Sequence, residues 1–122
     1  MPKLVFLVTE DWYFVSHRLP LAVAAKQAGF KVTVITRSGS ACDVIRRAGI
    51  EVVPFGMARR GLNPVGLMRE MIGVARLYRR IEPDLVHHVA LRPVVVGGLA
   101  AQAAGVRGRV AAIAGMGYAF TA

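Results

Sequence analysis

The chain has 122 residues, room for one domain with a single well-buried core, and 55% of them are hydrophobic. Its 16 Lys and Arg against 7 Asp and Glu give a net charge of +9 and a pI near 11.1, a field that attracts polyanions such as nucleic acid, anionic lipid or phosphorylated substrates. Charges, Gly or Pro break every apolar run, no small-residue cleavage site follows Met1-Pro2-Lys3, and Cys42 stands alone, which argues against a transmembrane helix, a secretory leader and an internal disulfide, and for a cytoplasmic domain.

The first apolar run, Leu4-Val5-Phe6-Leu7-Val8-Thr9, predicts a central parallel strand buried on both faces. It leads into Glu10-Asp11-Trp12-Tyr13-Phe14-Val15-Ser16-His17-Arg18-Leu19-Pro20, where Ser16 is placed to cap a helix whose first turn accommodates Pro20. The residues between strand and helix are then expected as a loop at the carboxyl end of the strand, where open α/β sheets bind ligands. Lys31 to Thr36 is rich in β-branched residues and predicts a second strand. Glu51 to Phe55 predicts a short third one, placed at a sheet edge by Pro54. Asn63 and Pro64 supply a cap and a first-turn proline for a long helix to about Ile81. Pro83-Asp84 turns into a fourth strand, Leu85 to Ala90, followed by a helix from about Pro93 to Ala104 and a fifth strand, Arg109 to Ala114. Ala28-Gly29, Ala48-Gly49 and Ala104-Gly105 share the form of a helix stop. The alternation predicts an α/β fold, a doubly wound parallel sheet with right-handed crossovers forming one Rossmann-like domain over residues 1–122. Beyond the fifth strand, Gly115 to Ala122 reads as a strand-to-helix loop without its helix, so the chain is expected to be a piece of a longer protein.

Several side chains in this frame carry chemistry. His17 and Arg18 stand where a helix amino terminus offers free N–H groups to an anion, or they are a solvated pair on a capped helix. Trp12, Tyr13 and Phe14 form either a hydrophobic plug over the sheet edge or a substrate platform. No Gly-x-Gly-x-x-Gly follows the first strand and no acidic residue ends the second, which counts against a dinucleotide cofactor; a Walker-type loop is missing too. Cys and His nowhere have metal-ligand spacing, so neither metal nor cofactor is expected.

The helix from Asn63 carries Arg69, Arg76 and Arg80 on one stripe through Gly73, with Arg59, Arg60 and Arg79 nearby. Met68, Met71, Ile72, Ala75 and Tyr78 are expected largely on the other side. That pattern suits an anionic membrane surface, or a plain solvated face. Nucleic acid is not expected, since exposed aromatics are not interleaved with the basic residues and no recognition motif is present. His87 and His88 are neighbours in a strand and face opposite ways, so at most one enters a cleft. Gly97-Gly98 permit close helix–sheet packing, while Gly115 and Gly117 either let backbone N–H groups approach a phosphate or form a flexible turn.

Taken together, the first strand, the His17-x-x-Pro20-x-Ala22 helix start and the Ala28-Gly29 stop resemble the amino-terminal half of a GT-B glycosyltransferase. Pro83-Asp84-Leu85-Val86-His87-His88-Val89-Ala90-Leu91-Arg92-Pro93 resembles the Pro-Asp-x-Val-His…Lys-Pro segment of glycosyltransferase family 4, and Gly115-Met116-Gly117-Tyr118 its Gly-x-Gly-Tyr/Phe turn. Asp11 to Arg18 is similar to the opening of the family's bacterial cell-envelope members. Acids and aromatics stand where many such enzymes have a Gly-rich first loop, Val89 where some have a second His, and Arg92 where Lys is usual. The carboxyl-terminal nucleotide-sugar domain, with its paired-Glu motif, is not in this chain.

The resemblance implies a parent enzyme that moves a sugar from a nucleotide-sugar to a lipid-linked or polysaccharide acceptor in surface-polymer assembly, without a metal. It implies a catalytic role for His17, substrate contacts from Trp12, Tyr13, Arg18, His87, Arg92, Gly115 and Gly117, and no transfer by this chain alone. Composition and the cationic face of the long helix lead to the expectation of a cytoplasmic protein, peripheral on the inner face of the plasma membrane through Arg69, Arg76 and Arg80. Two alternatives stand beside it. One is a nucleotide-sugar 2-epimerase of the same plan, for which Glu10 and Asp11 are the clustered acids; the other is a non-catalytic lipid- or partner-binding domain.

Overall fold

The computed structural model describes residues 2–57 and 63–112. Strand β1 (Lys3–Leu7) runs into helix α1 (Asp11–His17) and, after Arg18, helix α2 (Leu19–Gln27). Then follow β2 (Lys31–Thr36), α3 (Cys42–Arg47), β3 (Glu51–Pro54), α4 (Pro64–Ile81), β4 (Leu85–Val89), α5 (Leu91–Ala104) and β5 (Gly108–Ala112). The five strands form one parallel sheet in the order β3-β2-β1-β4-β5. The chain thus winds outward in one direction from β1, returns through α4, and winds the other way from β4. Pro54 lies in the edge strand β3, where its missing N–H leaves no ladder bond broken.

Strand β1 is the axis of the domain. Phe6 pairs with Val34 on one side and His87 on the other, and Val5, Phe6 and Leu7 are wholly buried. Leu4, Phe6 and Val8 face Phe14, Ala22 and Ile45 from α1, α2 and α3. Val5 and Leu7 face Val74, Tyr78, Val96 and Ala100 from α4 and α5. Helices therefore cover both faces, as a doubly wound sheet requires. Gly29, Gly49 and Gly105 all take positive φ at the ends of α2, α3 and α5, the left-handed turn that their lack of a side chain permits. The Asn63 side chain accepts from Val65 N at 3.1 Å and caps α4.

Three local expectations need correction. The residues after β1 are not a loop: Asp11 to His17 is helical, and Ser16 lies inside α1 rather than capping α2. Phe14 decides this. It is wholly buried edge-on against Phe6, with ring centroids 5.1 Å apart, a burial worth about 2 kcal/mol. Helix α1 then ends at Arg18 because Pro20 has no N–H to give to the Ser16 carbonyl. Helix α5 starts at Leu91, two residues before Pro93, which sits in the first turn where no N–H is needed. Finally, Gly73 lies on the arginine stripe of α4 but is packed rather than solvated. A Cβ there would lie 2.6 Å from the Phe55 ring, so Gly73 is the point of close approach between α4 and β3. Gly97 does the same for α5, since a Cβ would collide with His88 and with Leu7, whereas Gly98 meets nothing within 4 Å.

His88 is the buried member of the histidine pair, and its Nε2 shares a 2.9 Å hydrogen bond with Tyr78 Oη. Burial, followed by the nearby His87 and Arg109 charges, pushes the His88 imidazole down to about 4 from 6.5. As pH falls from 6.5 towards 4, the unfolded chain takes up a proton that folded His88 refuses. The resulting penalty is absent above pH 6.5, grows through that window and levels off below it at about 3 kcal/mol. Urea unfolding should accordingly show stability falling between pH 7 and pH 4.5, and His88→Gln, which keeps an acceptor but no titrating ring, should flatten that fall. A wild-type stability that is level across the window would mean that His88 is not held neutral by the core.

Candidate functional site

The winding reverses between β1 and β4, and in such sheets a crevice opens outside the strand ends at that point. A cavity of about 720 Å³ lies there. Val8, Thr9 and Glu10 form its floor from β1, Trp12 and Tyr13 its α1 wall, and Val89 to Arg92 its wall from β4 into α5. A second cavity of about 520 Å³ opens at the opposite end of the sheet, under the carboxyl ends of α4 and α5. Helix carboxyl ends carry partial negative charge, which disfavours the anionic ligands suited to this basic chain.

The α1 wall is aromatic. Trp12 is 56% exposed and meets Tyr13 edge-on at 5.9 Å, and Tyr13 stacks on His17 at 4.2 Å. The indole N–H of Trp12 donates to Glu10 Oε2 at 3.1 Å, and Arg37 Nε donates to Glu10 Oε1 at 3.0 Å. Opposite, Ala90 takes φ +76° as the N-cap of α5 and supplies no side-chain cap, so the amino terminus of α5 borders the crevice without a cap from its own N-cap residue. Its left-handed φ is rare for a residue with a side chain and is the kind of strain that clusters at ligand sites.

Of the residues singled out by sequence, Trp12, Tyr13 and Arg92 line the crevice. The Arg92 guanidinium, however, is turned onto Glu70 of α4, with Nε donating to Oε1 at 2.8 Å and Nη2 to Oε2 at 2.9 Å, both side chains little exposed. It braces the α5 wall against α4 instead of reaching freely into the cavity. His17 is exposed on the far side of Tyr13, its Nδ1 3.2 Å from the Tyr13 carbonyl. A carbonyl only accepts, so Nδ1 carries the proton and Nε2 is the free basic nitrogen.

His87 stacks on Phe6 at 4.9 Å beneath the α1–α2 elbow, outside the crevice. Burial and the adjacent Arg18 charge hold its imidazole below the ordinary range. Among the described residues neither His87 Nε2 nor Arg18 Nε has a hydrogen-bond partner. Gly115, Gly117, Arg59 and Arg60 lie outside the described residues.

Arg69, Arg76 and Arg80 are exposed on α4, but Met68 and Ile72 share their side rather than the opposite one. The α4 face nearest the crevice end is therefore apolar, with Val65, Met68 and Ile72 exposed, and the arginines concentrate towards its carboxyl end. Leu91, Val95 and Leu99 are exposed on neighbouring α5. Among the described residues no helix is long and apolar enough to cross a membrane, and no group of three or more His, Cys, Asp or Glu could hold a metal ion.

Sequence reasoning missed Thr9, Leu91 and the Glu10–Arg37 pair. Arg37 ends β2 beside the end of β1, so the juxtaposition follows once the two strands are known to be parallel neighbours.

Comparison with known proteins places this geometry in context. The model of the family described as Glycosyl transferase 4-like matches residues 3–122. The chain is 26% identical over 100 residues to an N,N'-diacetylbacillosaminyl-diphospho-undecaprenol alpha-1,3-N-acetylgalactosaminyltransferase of Campylobacter jejuni, covering 82% of this chain and 27% of that protein. Among solved structures, MurG of Acinetobacter baumannii superposes with a TM-score of 0.72 at 18% identity over 91% of this chain and 34% of its own. A glycosyltransferase from Rickettsia africae does so with a TM-score of 0.73 at 15% identity, over 90% and 29%. The chain thus spans about a quarter to a third of the length of these relatives.

The Arg92–Glu70 brace makes a direct prediction. Glu70→Ala removes the bidentate partner of a little-exposed guanidinium and should cost about 3 kcal/mol of stability in urea unfolding. The double variant Glu70→Leu/Arg92→Met should recover most of that loss, because neither half of the ion pair then remains without the other. A cost below about 1 kcal/mol for Glu70→Ala would class the pair with ordinary surface ion pairs.

Proposed function

The chain belongs to the Glycosyl transferase 4-like family, and from that premise we propose that it is the acceptor-holding half of an enzyme transferring sugar from a nucleotide-sugar to a lipid-linked or polysaccharide acceptor in surface-polymer assembly. The fold is that of the amino-terminal domain of a GT-B glycosyltransferase. The observation that carries the reading is the crevice at the β1/β4 switch point, with an aromatic wall on one side and the amino terminus of α5 on the other. An aromatic face suits a sugar ring, and the partial positive charge of a helix amino terminus suits a diphosphate. The relative's name describes transfer onto a diphospho-undecaprenol-linked sugar, which favours a lipid-linked acceptor here.

In this reading Trp12 and Tyr13 hold the acceptor, Arg18 adds positive charge beneath the α1–α2 elbow with neutral His87 beside it, and Arg92 keeps the α5 wall in place. His17 is the candidate catalytic residue: it lies behind Tyr13, outside the crevice lining, where its ring can hydrogen-bond a sugar hydroxyl or leaving phosphate that extends past Tyr13. The donor's diphosphate would be met chiefly by the remainder of the parent enzyme.

In a parent enzyme that transfers sugar, His17→Ala should lower turnover on the order of 100-fold, about 3 kcal/mol, and leave the melting temperature nearly unchanged, since an exposed ring supports little core. Retained activity with a collapsed melting temperature would make His17 a packing residue. A product assay separating transferred from epimerised sugar tests the reaction class itself, and epimerised product would replace transfer with the 2-epimerase reading.

We also propose that the α4–α5 face rests on an anionic bilayer. Val65, Met68 and Ile72 with Leu91 and Val95 would enter the interface, and Arg69, Arg76 and Arg80 would lie at head-group level. Each arginine near the surface contributes about 1 kcal/mol, screened by salt. Co-sedimentation with anionic phosphatidylglycerol vesicles should fall when the three arginines become Glu, and should fall with added salt. Equal binding to neutral and anionic vesicles would remove the electrostatic part of the proposal.

A further inference from the structure

We propose that Glu10 and Arg37 act as positioning residues that hold the Trp12 indole as a preset stacking platform for a sugar ring at the mouth of the β1/β4 crevice. The inference rests on reading that crevice as the acceptor site. It adds the ligand class met by the α1 wall and the device that fixes it.

Trp12 is the chain's single tryptophan, and more than half of it is exposed, at 56%. A large apolar side chain left that far in water is normally free to fold back onto the surface. Here it is tied. The indole N–H donates to Glu10 Oε2 at 3.1 Å, and the other oxygen of the same carboxylate accepts from Arg37 Nε at 3.0 Å. The Arg37 guanidinium reaches further, its Nη2 donating to the carbonyl of buried Met57 beyond β3. Tyr13 closes the arrangement from the side, edge-on to Trp12 and itself stacked on His17. The indole is therefore anchored to two strand ends that belong to the core, β1 through Glu10 and β2 through Arg37.

The class of ligand follows from what surrounds the ring. An indole offers an apolar face with a dispersion-rich surface. Its neighbours along the cavity are the Thr9 hydroxyl and the Glu10 carboxylate, whose two oxygens can each accept more than one hydrogen bond. A sugar ring has matching chemistry, one apolar C–H face with hydroxyls around its rim. A bare hydrocarbon tail would take water from the hydroxyl and the carboxylate while offering neither a hydrogen bond in return, at a cost. The cavity of about 720 Å³ is of the size that takes a compact small molecule. Holding the platform in advance removes the rotamer ordering otherwise needed on binding, which for one side chain corresponds to roughly three- to tenfold in affinity.

The test uses the 122-residue chain, in which all tryptophan emission comes from Trp12. The probes are N-acetylglucosamine and, separately, dodecyl phosphate below its micelle concentration. In the wild type, the sugar should shift Trp12 emission saturably and dodecyl phosphate should not. Arg37→Met should lower the Trp12 fluorescence anisotropy and weaken sugar binding roughly three- to tenfold, with the melting temperature held within a few degrees. Glu10→Met leaves the Arg37–Met57 contact in place, accepts nothing from the indole, and gives the same readouts should Arg37→Met fail to fold. In a Trp12→Phe background, which keeps a ring but has no N–H to clamp, Arg37→Met should leave sugar affinity unchanged in ligand-observed NMR.

Unchanged anisotropy in both clamp variants would overturn the positioning role, as would an equal loss of sugar affinity in the Trp12→Phe background. A Trp12 response to dodecyl phosphate alone, or to neither probe, would overturn the sugar assignment. None of these measurements reads turnover. Sugar binding on an intact clamp, with no transfer by the parent enzyme, would sink the transferase reading and leave this one standing.

Discussion

Strand β1 is hydrogen-bonded along both edges and buried on both faces, and that double burial sets the position of everything else. Because β2 and β4 both pair with β1, the connections on its two sides must run in opposite directions across the sheet. Phe6 and Val8 then commit α1 to α3 to one face, and Val5 and Leu7 commit α4 and α5 to the other. The crevice is the geometric remainder of that arrangement. No helix can cover the place where the winding reverses, so strand ends, a helix start and the aromatic α1 wall meet there around open space.

The two walls are built on different physics. The α1 wall exists because Phe14, anchored against Phe6, pulls a short helix onto the sheet and thereby lifts Trp12 and Tyr13 to the rim. The α5 wall is braced by the Arg92–Glu70 pair and entered through the strained backbone of Ala90. Fixed charges stand behind both. Glu10 is paired with Arg37, and Arg92 with Glu70, so the two charged side chains that line the cavity are each compensated by a partner beside it. Such a surface suits a ligand that is amphipathic rather than highly charged.

On its inner side the α4–α5 layer is tightly fitted, with Gly97 against His88, Gly73 against Phe55, and the Tyr78–His88 hydrogen bond sealed within. On its outer side it is graded from apolar near the crevice to cationic at the far end. One pair of helices thereby joins the core, the crevice wall and the surface proposed to face a bilayer.

The sequence by itself determined the strands, the helix stops and the edge position of β3, because each rests on local rules. Buried runs, Gly29, Gly49 and Gly105 at positive φ, the Asn63 cap and Pro54 are all readable within a few residues. It also marked Trp12 and Tyr13, since aromatics after a first strand are conspicuous wherever the backbone goes. Only the tertiary structure decided that residues 11 to 17 are helical, because the burial of Phe14 against a sheet outweighs the capping signal of Ser16. Only it turned Met68 and Ile72 outward, since periodicity defines a stripe but not which side of the stripe meets the core. The same holds for the partners of the charges. Arg37 meets Glu10 across 27 residues and Arg92 meets Glu70 across 22, distances in sequence that close only when strand order and helix packing are in place. Local propensity carries no information about such meetings, because their geometry belongs to the sheet and not to the segments it joins.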